Sequence, residues 1–146
     1  MGSCYYYLRA SFKSPLTRKQ SHNIKSFLIE VSKAEDFWQD NRGTDPSVFW
    51  PKFNKLFPDA SRYLVSQNIN TTNGDCNNNI AGCLEAGWTN QIEDYVNAIQ
   101  AGQTEVHYSA EVWHLCSWEP LAKWFKKEFG ATKATWFSEE DRYILD

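Results

Sequence analysis

The fold is decided by three successive segments of the sequence: TEVHYSAEVWHL (104–115), SWEPLAKWFKKEFG (117–130) and ATKATWFS (131–138). The first segment alternates apolar and polar residues as a strand does, and the last is rich in strand-forming residues. The middle segment predicts a helix, because Glu119 and Pro120 suit its first turn and Gly130 suits a left-handed end. A strand, a helix and a strand in one short unit predict a parallel pair of strands joined by a right-handed crossover.

The N-terminal part of the chain repeats the order of strand and helix. The segment SCYYYLRASF (3–12) is rich in strand formers, and its period of two separates a core face from an opposite face: Tyr6, Leu8, Ala10 and Phe12 on the first, and Tyr5, Tyr7, Arg9 and Ser11 on the second. A helix is indicated next by apolar residues at helical spacing: Ile24, Phe27, Leu28 and Val31. Thr17 and Gln20 can form its capping box. Two such units predict an α+β protein with a ferredoxin-like sheet of βαβ type and helices on one face.

The middle third is predicted to be an insertion, at about residues 40–102, within a single domain spanning 1–146. Pro46, Pro51 and Pro58 each start or interrupt a helix, so we expect short helical pieces there. Six apolar residues are expected to pack against the core: Phe49, Trp50, Phe53, Leu56, Phe57 and Leu64. The asparagine-rich run 68–79 predicts an exposed loop, and a further helix is expected from Thr89 to Ala101.

Composition narrows the class of protein. The 146 residues carry a formal net charge of −3, which disfavours double-stranded nucleic acid as a partner. No apolar run is long enough to cross a membrane and no secretory signal is recognisable, so we expect a soluble protein in the cytoplasm. The four cysteines have scattered spacings that predict reduced thiols, and we expect neither a metal site nor a cofactor.

His114 and Cys116 could be interpreted as a base and a nucleophile at the end of a strand. Both residues, however, have the parity of the strand's core face, whereas His107 has the opposite parity. The two strand histidines therefore cannot easily share one metal ion. We interpret His114 and Cys116 as core residues.

Three tryptophans are the predicted contact residues for a partner: Trp113, Trp118 and Trp136. The alternative is that helices or the insertion cover them. The acidic run Glu139, Glu140 and Asp141 is predicted to lie at the rim of this contact surface and to steer association, although such a run can also be an ordinary solvated segment.

Three stretches carry a resemblance to a known family: VWHLCSWEPLAKWFKKEFG (112–130), ATWFSEED (134–141) and CYYYLRASF (4–12). The chain resembles the ferredoxin-like domain family of unknown function that is found in phages and plasmids, mainly in its C-terminal third. Glu119 stands where that family would have a second proline, and the middle segment has no counterpart. The resemblance implies the fold and an origin in a mobile genetic element.

These observations predict a non-enzymatic protein-interaction module, of the kind a phage would use to inhibit a host anti-phage defence complex (an anti-CRISPR protein, for example). One alternative is a binder of single-stranded nucleic acid that stacks bases on Tyr5, Tyr7 and Trp113. Another is a small-ligand-binding or enzymatic domain that uses His107 or His114.

Overall fold

A computed structural model of the chain describes residues 4–84, 92–112, 118–138 and 142–145. Within these ranges the elements follow in the order β1 (Cys4–Ser11), α1 (Arg18–Asn41), α2 (Pro46–Leu56), α3 (Pro58–Ser66), α4 (Asn78–Leu84), α5 (Ile92–Asn97), β2 (Glu105–Val112), α6 (Glu119–Phe129), β3 (Lys133–Ser138) and β4 (Arg142–Leu145).

The strands form one sheet in the order β2-β1-β3-β4, and every neighbouring pair is antiparallel. The protein is therefore α+β, as predicted. The predicted pairing of β2 with β3 is wrong: the two strands run in the same direction, but β1 lies between them. In the register, Leu8 of β1 is opposite Tyr108 of β2 and Trp136 of β3, so this buried central strand is paired on both sides.

The connection from β2 through α6 to β3 is a split βαβ unit, with β1 inserted between the two strands. The order of elements departs from the βαββαβ order of ferredoxin-like domains, because a helix rather than a turn follows β2. The ferredoxin-like assignment therefore stays a prediction. Helix α6 ends as its sequence predicts, since Gly130 adopts a left-handed conformation with φ of 76°.

The side of the sheet that faces the helices, here called the inner face, is formed by the even-numbered residues of three strands: Tyr6, Leu8, Ala10, Val106, Tyr108, Ala110, Ala134 and Trp136. All eight are buried, and this confirms the predicted core face of the first strand. The predicted stripe of α1 is also buried, and Thr17 and Gln20 form the predicted capping box, with hydrogen bonds of 2.8 and 3.1 Å.

The middle third packs as short helices around an aromatic cluster, in which Phe49, Trp50 and Phe53 are fully buried. The Trp50 indole Nε1 donates a 2.7 Å hydrogen bond to the carbonyl oxygen of Gly74, which ties the asparagine-rich segment to α2. Leu56 is a correction, because it was expected in the core and its side chain is exposed at the last turn of α2. Residues 89–91 of the helix expected at 89–101 lie outside the described ranges, and α5 ends at Asn97, four residues before the predicted end.

Candidate functional site

Two of the predicted contact residues are buried. Trp118 is 2% exposed and Trp136 is 5% exposed, so the expectation that they form a surface patch is wrong. Trp136 has the parity of the inner face, and both indoles pack on Tyr6, with ring centroids 5.6 Å away for Trp118 and 5.8 Å for Trp136. The sequence alternative, that these side chains are covered, is what the structure shows.

The remaining predicted residues cannot be placed. Trp113, His114 and Cys116, and the acidic run Glu139, Glu140 and Asp141, lie outside the described residues.

The other side of the sheet, here called the open face, carries the odd-numbered residues of the same strands: Tyr5, Tyr7, Arg9, His107, Ser109, Thr135 and Phe137. Tyr5 is 41% exposed and Tyr7 is 36% exposed, which is unusual for large rings at the centre of a sheet. Thr135 is buried and Phe137 is partly buried, so the face is more enclosed towards β3 than towards β2.

Tyr7 and Phe137 form a ring pair on the open face. They are direct cross-strand neighbours in the register of β1 and β3. Their ring centroids are 4.9 Å apart and the ring planes differ by 18°, so the rings stack. Such a pair stabilises the sheet locally and also presents aromatic surface to anything that lies on the face.

Next to the ring pair, three polar side chains form a charge cluster. Arg9 and His107 are cross-strand neighbours, and Glu105 precedes His107 by two residues on β2. The His107 Nε2 lies 2.7 Å from Glu105 Oε1, and the Arg9 Nε lies 4.0 Å from Glu105 Oε2. One carboxylate therefore engages both nitrogen-bearing groups, at a position where all three side chains are exposed to water.

A cavity of about 430 Å³ opens on this face, a volume in the range of small-ligand sites. Its lining combines six open-face residues (Tyr7, Arg9, His107, Ser109, Thr135 and Phe137) with two inner-face residues of the same strands (Leu8 and Tyr108) and two residues from the α5 region (Asp94 and Ala98). The cavity therefore has aromatic surface at Tyr7 and Phe137, hydroxyl groups at Ser109 and Thr135, and charged groups at its other end.

The described polar contact of His107 is with a carboxylate. Its ring is paired with Glu105, and among the described residues no hydrogen bond joins it to the Ser109 hydroxyl. The described residues also contain no group of three or more side chains that could hold a metal ion.

The cysteines whose side chains are described, Cys76 and Cys83, carry free thiols, as predicted. Burial raises the pKa of the Cys83 thiol to about 11, and burial together with the nearby Asp75 carboxylate raises the pKa of Cys76. Because the thiolate is the reactive form, both groups are poor nucleophiles at neutral pH.

Sequence reasoning missed several lining residues, among them Phe137 and Asp94. For Phe137 a signal was present: the parity rule that was applied to the first two strands, extended to the last, separates Trp136 from its neighbour Phe137 and assigns them to opposite faces. For Asp94 no signal was present, since its position depends on how α5 packs beside β2.

No helix in the described part of the chain combines the length and the apolar character that crossing a bilayer requires. Comparison with known proteins returned no match to this chain among family models, curated proteins or solved structures.

Proposed function

We propose that this chain is a binding module that acts without turning over a substrate, and that the open face of its sheet is the contact surface. One observation carries the proposal: the stacked pair of Tyr7 and Phe137 borders a cavity of about 430 Å³ on an exposed face. Aromatic side chains on a sheet surface supply stacking area for planar groups. A partner that presents a flat ring to these side chains fits this surface.

The polar end of the cavity supports orientation of the bound group. The guanidinium of Arg9 and the ring of His107 lie on the same side of the ring pair, and both contact the Glu105 carboxylate. A few convergent polar groups beside an apolar surface are typical of ligand sites, where they set the direction of the ligand. The partner is therefore expected to carry a polar group to one side of its ring.

The proposal is tested by nuclear magnetic resonance on the labelled protein. Backbone amide shifts are recorded while indole, adenosine and benzoate are added separately. We expect the largest changes at Tyr7, Ser109 and Phe137. Shifts that cluster on the helices instead, or no shifts with any of the three compounds, would contradict the proposal.

A matched pair of variants completes this test. Tyr7→Leu removes the stacking ring but keeps apolar bulk, and Val65→Ala shortens an exposed side chain of α3 away from the sheet. We expect Tyr7→Leu to abolish the shifts and Val65→Ala to leave them unchanged.

A host protein is the second candidate partner, and it is favoured by a different observation. Val48, Leu56 and Val65 on α2 and α3 are each more than half exposed, which leaves aliphatic surface on the helical side of the chain. The resemblance to a phage and plasmid family supports a host defence complex as the target. The tryptophans no longer support it, because Trp118 and Trp136 are buried.

This second candidate is tested by immobilising the protein and adding host lysate with and without nuclease. A double variant with Val48→Ser and Leu56→Ser is compared with Tyr7→Leu. Capture that is resistant to nuclease and lost only in the double variant would favour the host protein, and loss only in Tyr7→Leu would favour the open face.

A further inference from the structure

We propose that the cavity on the open face binds a nucleotide unit, with the base against Tyr7 and Phe137 and the phosphate at Arg9 and His107. This inference rests on the proposed function and names the ligand class of the same site. It depends on three features: the spacing between the aromatic and cationic ends of the cavity, the hydroxyl groups beside those ends, and the carboxylate that already contacts the cationic end.

The spacing favours a ring whose acidic group is held at a distance. Arg9 follows Tyr7 by two residues on β1, and two residues of an antiparallel strand span about 7 Å. A nucleotide separates its base from its phosphate by a sugar, and so reaches both ends of the cavity. A ring that carries its acid directly, as benzoate does, reaches only one end.

Two hydroxyl groups lie beside these ends, one level with Tyr7 and one level with Arg9. Ser109 is the cross-strand neighbour of Tyr7, and Thr135 is the cross-strand neighbour of Arg9, on opposite sides of β1. Both residues line the cavity. A hydroxyl can donate and accept hydrogen bonds, which matches the hydroxyl groups of a ribose placed between base and phosphate.

The Glu105 carboxylate occupies the place that the phosphate would take. It lies 2.7 Å from His107 and 4.0 Å from Arg9, so a bound phosphate must displace it from both groups. Glu105 reaches the cavity only through these contacts with lining residues, whereas Asp94 is an acid in the lining itself. These acids oppose non-specific attraction to a nucleic-acid backbone, so ring stacking must supply much of the affinity. Glu105 is therefore a specificity-determining residue that competes with the ligand.

The competition gives the sharpest test. Isothermal titration calorimetry compares adenosine 5′-monophosphate with adenosine on the wild-type protein and on two variants, Glu105→Gln and Glu93→Gln. Glu93 is the matched control, because it is an exposed acid on α5 outside the lining of the cavity. We expect Glu105→Gln to increase affinity for the monophosphate about three- to fivefold, as for an exposed charge pair, and to leave affinity for adenosine unchanged. Equal behaviour of the two variants would overturn the proposal.

Arg9→Gln tests the phosphate contact by removing the cation, whereas Glu105→Gln removes the competing anion. It keeps a hydrogen-bonding side chain but removes the charge, so the monophosphate is expected to bind no more tightly than adenosine. If both compounds bind wild-type protein equally and Tyr7→Leu weakens both, the nucleotide proposal fails and the proposed function stands. If no ring compound binds at all, both fail.

Two further ligands distinguish a nucleic-acid strand from a free nucleotide as the natural ligand. A single-stranded adenine oligonucleotide that binds at least about tenfold more tightly than the monophosphate indicates a strand as the natural ligand, and equal affinity indicates a free nucleotide. A duplex of the same length is expected not to bind, because its bases are stacked and paired. Duplex binding equal to that of the single strand would overturn the proposal.

Discussion

The two faces of the sheet carry the same kinds of side chain in different roles. On the inner face, Tyr6 packs on two buried indoles, and Tyr108 stacks on Trp118 at 5.7 Å. On the open face, Tyr7 stacks on Phe137 at 4.9 Å, yet Tyr7 remains 36% exposed. The residues alternate along the same strands, so parity rather than residue type decides which rings stabilise the fold and which remain available to a ligand. We therefore expect substitutions on the two faces to separate stability from binding.

The largest effect is expected from Trp118→Ala on the inner side. Trp118 is fully buried against Tyr6 and Tyr108, so removal of its ring leaves a cavity and should lower the free energy of unfolding by about 3–5 kcal/mol. Urea denaturation monitored by circular dichroism measures this loss. A loss below about 1 kcal/mol would contradict the stabilising role of the inner face, because it would mean that Trp118 is not part of the core.

A smaller effect is expected from Gly130→Ala, which tests the left-handed end of α6. Gly130 has φ of 76° and a new Cβ would meet no atom within 4 Å, so the cost is that of the left-handed backbone alone, about 1–2 kcal/mol.

Gly43→Ala is the matched control for that substitution. Gly43 also has open space around it but is not at positive φ, and we expect its replacement to change stability by less than about 0.5 kcal/mol. Equal effects of the two substitutions in thermal unfolding would contradict the assigned helix end.

On the open face, Arg9→Gln is expected to change the free energy of unfolding by less than about 1 kcal/mol. The contact between Arg9 and Glu105 is long and exposed, and such pairs contribute little to stability. The same variant is expected to lose the advantage in affinity that the monophosphate has over adenosine, so it sharpens the separation of the two roles. A large loss of stability would instead assign Arg9 a structural role.

The smallest effect concerns Cys83. Its raised pKa favours the neutral thiol in the folded state, so this contribution to stability is present below the ordinary value of 9.0 and is lost as the pH rises towards about 11. At pH 8 only about one thiol in a thousand is ionised, so alkylation by iodoacetamide should be slow in buffer and fast in urea. Mass spectrometry of the peptide containing Cys83 measures both rates, and rapid alkylation in buffer would contradict its burial.

Much of the fold could be predicted from local patterns. The period of two separated Tyr6 and Leu8 from Tyr5 and Tyr7, and the spacing of Ile24 and Phe27 identified the buried side of α1, because both patterns depend only on backbone geometry. Strand order could not be obtained in this way. Whether β1 lies beside or between the later strands depends on contacts distant in sequence.

The candidate site, like the fold, could be predicted from the sequence only in part. Parity places Tyr7, Arg9 and His107 on one face, and that inference was available from the sequence. The choice of Trp136 as a surface anchor failed because it weighed residue type above parity, and α6 covers the inner face on which Trp136 lies. Parity does not apply to Trp118, which precedes α6 and packs on Tyr6 and Tyr108. The contribution of Asp94 to the cavity arises only from tertiary packing.

The most direct test compares two adjacent residues of β1 that point to opposite faces, in the variants Tyr6→Ala and Tyr7→Ala. Unfolding free energy and affinity for adenosine 5′-monophosphate are measured for both, with affinity taken per folded molecule. We predict that Tyr6→Ala loses about 3–5 kcal/mol of stability and keeps its affinity, because Tyr6 is 6% exposed, packs on the buried indoles of Trp118 and Trp136 and does not line the cavity. We predict that Tyr7→Ala loses about tenfold in affinity, as expected for one stacked base, and stays within about 1 kcal/mol of wild-type stability. Wild-type affinity in Tyr7→Ala, or a loss of stability equal to that of Tyr6→Ala, would contradict the division of the sheet into a stabilising face and a binding face.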